Sequence, residues 1–279
     1  MIFNSDWHIH SLNSYDATLP LSKIYEEAKK LGMKKIGITD HANYNDEKFL
    51  SDLDSSASDV IEFQKNHPDM ILGVELTPIE KPEFDYIEKY KTREGYIQPA
   101  TDKPYEIELA QTKEQLMKRG VRYAIGASHW RVDTPFTEDR PSDKYTVMKE
   151  WYRQQLWLAQ DERVTILGHP WYNGKGLWYD DFSAIPHSMN MDIAHALKEN
   201  HKYVECNSGF LLSEKTTEKF RAQYAEFMRE LFEMGIPVTF GSDSHHQYEP
   251  KIDELEKLLR KVGFKDGDFS ELKEEDLWF

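Results

Sequence analysis

The chain of 279 residues is long enough for one large α/β barrel or two ordinary domains, and its 39 % apolar and 13 % aromatic content excludes a disordered polypeptide. Thirty-five basic residues against 50 acidic ones leave a formal charge of −15, which argues against wrapping duplex nucleic acid, whose phosphates are held by Lys and Arg. No run approaches the roughly 18 apolar residues of a membrane-spanning helix. Met1–Trp7 has no basic stretch followed by an apolar one, so no secretory signal is expected. Cys206 is the sole cysteine and cannot close an internal disulfide, so a cytoplasmic protein is expected.

In chain order, Ile2–His8 reads as a strand, and Leu21–Leu31 as an amphipathic helix that opens after Pro20 and stops at Gly32. Strands are expected at Lys35–Thr39, Met70–Leu76 and Arg122–Ser128, then a helix at Tyr145–Leu158 and a strand at Val164–Leu167. A helix at Ile193–Glu199, a strand at Tyr203–Cys206, a helix at Lys215–Met234, a strand at Val238–Gly241 and a helix at Ile252–Val262 complete the series. Such alternation implies a parallel sheet covered by helices. Seven strands with no Gly/Ser-rich linker predict a single α/β barrel spanning residues 1–279. Pro78–Asp102, Val132–Asp143 and Trp171–His187 break the alternation after strand ends, where barrels carry active-site loops.

The strand ends deliver metal-binding chemistry. In order they read Asp6-Trp7-His8-Ile9-His10, Thr39-Asp40-His41, Gly73-Val74-Glu75, Ser128-His129-Trp130, Gly168-His169-Pro170, Glu205-Cys206-Asn207 and Gly241-Ser242-Asp243-Ser244-His245. Residues two apart share a strand face, so His8 and His10 would grip one cation, and Asp243 and His245 repeat the spacing on the last strand. Imidazole mixed with carboxylate suits Zn, Fe or Mn rather than Ca or Mg. The donors exceed one coordination sphere, so two to three divalent ions are expected. His67, His187, His195 and His201 fall in helical or loop stretches and are expected to be solvated or structural, and His246 to point away from His245.

The order His8-x-His10, Asp16, Asp40-His41, Glu75, His129, His169 and Asp243-x-His245 resembles the PHP superfamily, the polymerase and histidinol phosphatase domain, from Asp6 to His245. The resemblance implies a distorted seven-stranded (β/α) barrel, with loop insertions at its carboxyl rim and a trinuclear centre that hydrolyses phosphate esters. It assigns His8, His10, Glu75 and Asp243 to a first metal. Glu75 would bridge to a second, held also by His129 and His169, while Asp16, His41 and His245 would hold a third. Gly126–His129, Val204–Gly209 and Gly241–His245 are similar to the stand-alone histidinol phosphatase branch. Ser14-Tyr15-Asp16 is similar instead to the nucleotide phosphoesterase branch, since histidinol phosphatases commonly have histidine where Asp16 stands.

The expected activity is hydrolysis of a small phosphorylated metabolite by a metal-bound hydroxide, histidinol phosphate being the best single substrate. Glu75, Asp243 and His245 are the candidate catalytic groups. Arg131 and Lys175 are candidate phosphate cations, Trp130, Trp171 and Tyr172 a candidate aromatic wall, and Asn207 a candidate hydrogen-bonding group. Cys206, one residue out of phase with Glu205 and Asn207, is expected to face the helices. A phosphodiesterase acting on nucleotides and a non-catalytic metal-binding module are the alternatives, and the oligomeric state is open.

Overall fold

A computed structural model describes residues 1–43, 47–90, 99–129, 143–173 and 176–279. The chain runs β1 (Ser5–Asp6), α1 (Leu21–Lys30), β2 (Lys35–Ile38), α2 (Glu47–Gln64), β3 (Met70–Leu76), β4 (Ile79–Glu80), α3 (Lys81–Tyr90), β5 (Ile107–Glu108), α4 (Lys113–Lys118) and β6 (Tyr123–Gly126). It continues through α5 (Lys144–Gln160), β7 (Ile166–Leu167), α6 (His187–Glu199), β8 (Tyr203–Asn207), α7 (Ser208–Leu211), α8 (Glu218–Glu233), β9 (Val238–Gly241) and α9 (Ile252–Lys261). Seven strands form one parallel sheet in the order β1-β2-β3-β6-β7-β8-β9. The sheet curls until its edges meet. Trp7 N–H donates to the Phe240 carbonyl at 3.0 Å, Asp243 N–H to that of His8 at 2.8 Å, and Ile9 pairs with Ser244. The expected α/β barrel is what forms, nearly closed and with every strand pair parallel.

The side-chain period of two assigns each strand residue to a face. On β3, Met70, Leu72, Val74 and Leu76 join the apolar layer under the helices, whereas Ile71 belongs to a second cluster with Trp7, Tyr123, Ile125, Ile166 and Tyr203. Tyr123 is central to that inner plug. Its ring meets Trp7 edge-on at 5.6 Å, and its hydroxyl donates to the Trp7 carbonyl at 2.7 Å. Gly73 leaves room for the ring, since a Cβ there would lie 2.5 Å from Tyr123 Cζ. Below, the chain after α9 crosses the amino end of the barrel. Ser270 N–H donates to the Val238 carbonyl and Trp278 N–H to that of Arg122, while Leu272 and Leu277 complete the plug.

The differences from the sequence reading have local causes. α2 was not expected, because its buried stripe is Leu53, Ser56, Ala57 and Val60, half of it small residues that carry little apolar signal. Within the segment read as an insertion, β4 leads directly into α3, and β4 pairs antiparallel with β5, which lies beyond that segment. α4 opens on a capping box, with Thr112 accepting from Gln115 N–H and the Gln115 side chain accepting from Thr112 N–H. The first strand is shorter than read: its ladder covers Ser5–Asp6, and pairing resumes as an isolated bridge at Ile9.

Candidate metal centre

At the carboxyl rim each strand hands one or two side chains to a common point. Past β1, His8 and His10 are fully buried, with their Nε2 atoms 3.1 Å apart. Glu75, near the end of β3, divides its carboxylate between the rings. Oε1 faces His169 Nε2 at 3.0 Å and His129 Nε2 at 3.5 Å. Oε2 faces His41 Nδ1 at 3.1 Å, and the Nε2 atoms of both His8 and His10 at 3.4 Å. Beyond β9, Asp243 Oδ1 lies 3.4 Å from His8 Nε2 and 3.3 Å from His10 Nε2. Asp16 Oδ2 stands between His41 Nε2 at 3.2 Å and His245 Nε2 at 3.5 Å.

Three donor groups result, each with its ligand atoms within 4.8 Å of one another: His10, Asp16, His41 and His245; His8, His10 and Asp243; and His8, Glu75 and His169. The backbone is bent to achieve this. His169 and Asp243 take φ values of 21° and 55°, in or at the edge of the left-handed region that non-glycine residues seldom adopt, and functional sites concentrate such residues.

The electrostatics fit a cation. Burial by itself would lower the His8 pKa, yet Glu205, Asp243 and Glu75 together raise it well above its ordinary value. Burial lowers His10 as well, but hydrogen bonds to Asp243 and Glu75 push it up to about 9. Glu75 and Asp243 would be raised by burial, but the surrounding imidazoles hold both carboxyls well below their usual range. Asp16 is likewise held down, against burial, by His245 and His41. Burial takes His129 down to about 3 against the pull of Glu75, leaving a neutral ring free to donate a lone pair. Buried carboxylates that stay charged need positive partners, and nitrogen–oxygen donor sets of this kind suit transition metals.

All nine sequence-predicted ligands therefore meet: His8, His10, Asp16, His41, Glu75, His129, His169, Asp243 and His245. The expected substrate residues fare differently. Trp171 is not a wall of the site; it is fully buried, edge-on to Trp178 at 6.1 Å, because its φ of 65° turns the ring into the helix-covered layer. Tyr172 faces the centre instead, 5.1 Å from the His169 ring and 5.9 Å from that of His129. Asn207 is also fully buried, and its amide is committed: Nδ2 donates to Glu205 at 3.2 Å and Asp243 at 3.3 Å, and Oδ1 caps α7 by accepting from Phe210 N–H at 2.8 Å. It steadies Asp243 rather than reaching a substrate. Trp130, Arg131 and Lys175 lie outside the described residues. Cys206 is buried under the helices, as expected. His67 stacks near Phe63 and His187 pairs with Glu230, both away from the centre, while His246 contacts Thr18 with its ring 6.4 Å from that of His245.

Behind the candidate ligands stand three further groups, of which sequence reading places Glu205 at the rim without a partner and does not single out Asn43 or Thr77. Thr77 Oγ1 lies 2.8 Å from His129 Nδ1, the Asn43 amide 3.1 Å from His41 Nδ1, and Glu205 Oε1 2.8 Å from His8 Nδ1. A signal existed for Asn43 and Thr77, which stand two residues beyond the candidate ligands His41 and Glu75 in the sequence.

A family model described as the PHP domain matches residues 6–209. The chain is 23 % identical over 268 residues to a probable histidinol-phosphatase of Thermotoga maritima, covering 93 % of each chain. It is 35 % identical over 71 residues to a probable phosphatase of Acetivibrio thermocellus, a match spanning 25 % of this chain and 28 % of that protein. Among solved structures, histidinol phosphate phosphatase from Lactococcus lactis, complexed with zinc, L-histidinol and phosphate, superposes with a TM-score of 0.63 at 20 % identity over 95 % of each chain. That likeness establishes a shared fold.

Proposed function

The chain belongs to the PHP domain family, and we propose that it is a metal-dependent phosphatase hydrolysing a small phosphate monoester, with histidinol phosphate the first substrate to test. The observation that carries the reading is the convergence of three imidazole–carboxylate groups around Glu75 at the carboxyl rim of the barrel. The similarity to histidinol-phosphatase relatives supports the choice of substrate.

Two or three divalent transition cations held by these donors would neutralise the phosphate oxygens and bring a water pKa down toward about 7. The chain's own groups have separable tasks. Glu75 keeps its charge although buried, and its oxygens face different rings, which suits a carboxylate shared between cations. Asp243, steadied by Asn207, would accept a hydrogen bond from the attacking water and align it with phosphorus. His245 donates Nδ1–H to the Asp243 carbonyl at 2.9 Å, which leaves Nε2, facing Asp16, as the nitrogen that would hold a cation; the proton for the leaving oxygen would then come from water at that cation. Tyr172 would line the leaving-group side. Arg131, two positions beyond His129, would bind phosphate; Arg131→Ala is expected to raise KM more than it lowers kcat, because a ground-state contact is lost.

The deciding assay offers the metal-loaded protein histidinol phosphate, p-nitrophenyl phosphate and the bis-p-nitrophenyl ester. Monoester hydrolysis that stops on chelation and returns with Zn²⁺ or Mn²⁺ is expected. Turnover of the diester alone would make the protein a phosphodiesterase, and no turnover with metal bound would make it a non-catalytic module.

A further inference from the structure

Glu205 lies on β8, fully buried, and three donors converge on its carboxylate. Oε1 faces His8 Nδ1 at 2.8 Å and accepts from Asn207 Nδ2 at 3.2 Å, while Oε2 accepts from the His169 backbone N–H at 2.6 Å. A carboxylate only accepts, so the first contact keeps a proton on His8 Nδ1. The nitrogen that can give up its proton to a cation is then Nε2, which faces His10, Glu75 and Asp243. The contact to His169 anchors the backbone at its unusual φ of 21°. The neighbouring strand makes room: a Cβ on Gly241 would lie 1.8 Å from Glu205 Oε1.

We propose that Glu205 is the positioning residue of the centre. It locks His8 in the tautomer that offers Nε2 and pins the His169 backbone, so that both rings turn Nε2 toward Glu75. The proposal rests on the metal-centre reading above. It acts unevenly on the three donor groups. Two contain His8, whereas the group of His10, Asp16, His41 and His245 contains neither His8 nor His169.

Glu205→Gln keeps the size but offers a single acceptor where three donors meet. If its oxygen serves His169 N–H, its amino group faces His8 and forces the ring proton onto Nε2. Zn²⁺ alone is titrated into metal-stripped wild type and variant by calorimetry, with bound metal counted by elemental analysis. Wild type is expected to take up more than one equivalent. The variant should hold one equivalent with wild-type affinity and lose about 10- to 100-fold for the others. Equal affinity at every equivalent, or uniform weakening of all, overturns the proposal. A wild type that binds no Zn²⁺ overturns the metal-centre reading instead. The ¹⁵N ring shifts of His8 in the zinc-loaded wild type give a test independent of whether the variant folds. Nδ1 protonated and Nε2 bare is expected, and the reverse tautomer sinks the proposal.

Discussion

At the residue scale, Glu75 is the group on which most of the site depends, because its two oxygens face five imidazoles. Glu75→Gln retains size and hydrogen bonding but removes the charge those rings share. It is expected to lose more than one metal equivalent and nearly all hydrolysis while circular dichroism stays unchanged. A variant that is less stable but fully metallated would reduce Glu75 to an ion-pair partner. Protonation gives a second expectation. His10, at about 9 in the metal-free protein, is charged at pH 7 and must shed a proton before its nitrogen can bind. Affinity should therefore rise with pH from 7 to about 9, by about tenfold per unit for each proton displaced. Calorimetry in buffers of different ionisation enthalpy would count the released protons, and uptake without proton release would contradict this account.

At the scale of the element, strands carry two assignments at once. On β3, alternate residues pack under the helices, and the others run Ile71, Gly73, Glu75 from the plug to the rim. Gly73 is the spacer that lets Tyr123 fill the barrel beneath the site. Gly73→Ala should force that ring aside at a cost of roughly 1–3 kcal/mol, the usual range for overpacking. Chemical denaturation would measure it, and a neutral result would mean that Tyr123 yields freely. The helices differ in how plainly they announce themselves. α1 hides Leu21, Ile24 and Ala28 on one stripe, whereas α2 turns Ser56 inward to donate to Asp40, which also holds Ser11. The polar inward residue that obscured α2 in the sequence thus braces the loop after His10.

At the scale of the whole molecule, the barrel is stoppered at one end and carries the candidate metal centre at the other. Leu272 and Leu277 close the amino end, and the centre opens at the carboxyl rim. The two ends are separable in their consequences. Leu277→Ala should cost about 2–5 kcal/mol, as buried leucine truncations do, with metal stoichiometry of the folded protein retained. Thermal unfolding together with metal analysis checks both halves, and metal loss without destabilisation would refute the separation. Among the described residues no helix is long and apolar enough to cross a membrane.

The sequence by itself determined which residues meet and at which end of the barrel. His8, His41, Glu75, His129, His169 and Asp243 each stand at or just past a strand end, and a parallel barrel brings all such ends to one rim. Local periodicity and strand order are enough to place these residues together. Other features depended on relations that local pattern does not carry. Glu205 reaches His8 across 197 positions of sequence, and its contact depends on strand register and barrel closure. Trp171, expected as a wall, is buried, and its positive φ is a feature that no local pattern announces. The last residues form the plug only because the chain returns beneath the barrel. Periodicity records which face of an element is buried; which distant side chain meets that face is settled by tertiary packing, where register, backbone bends and the space left by glycines act together.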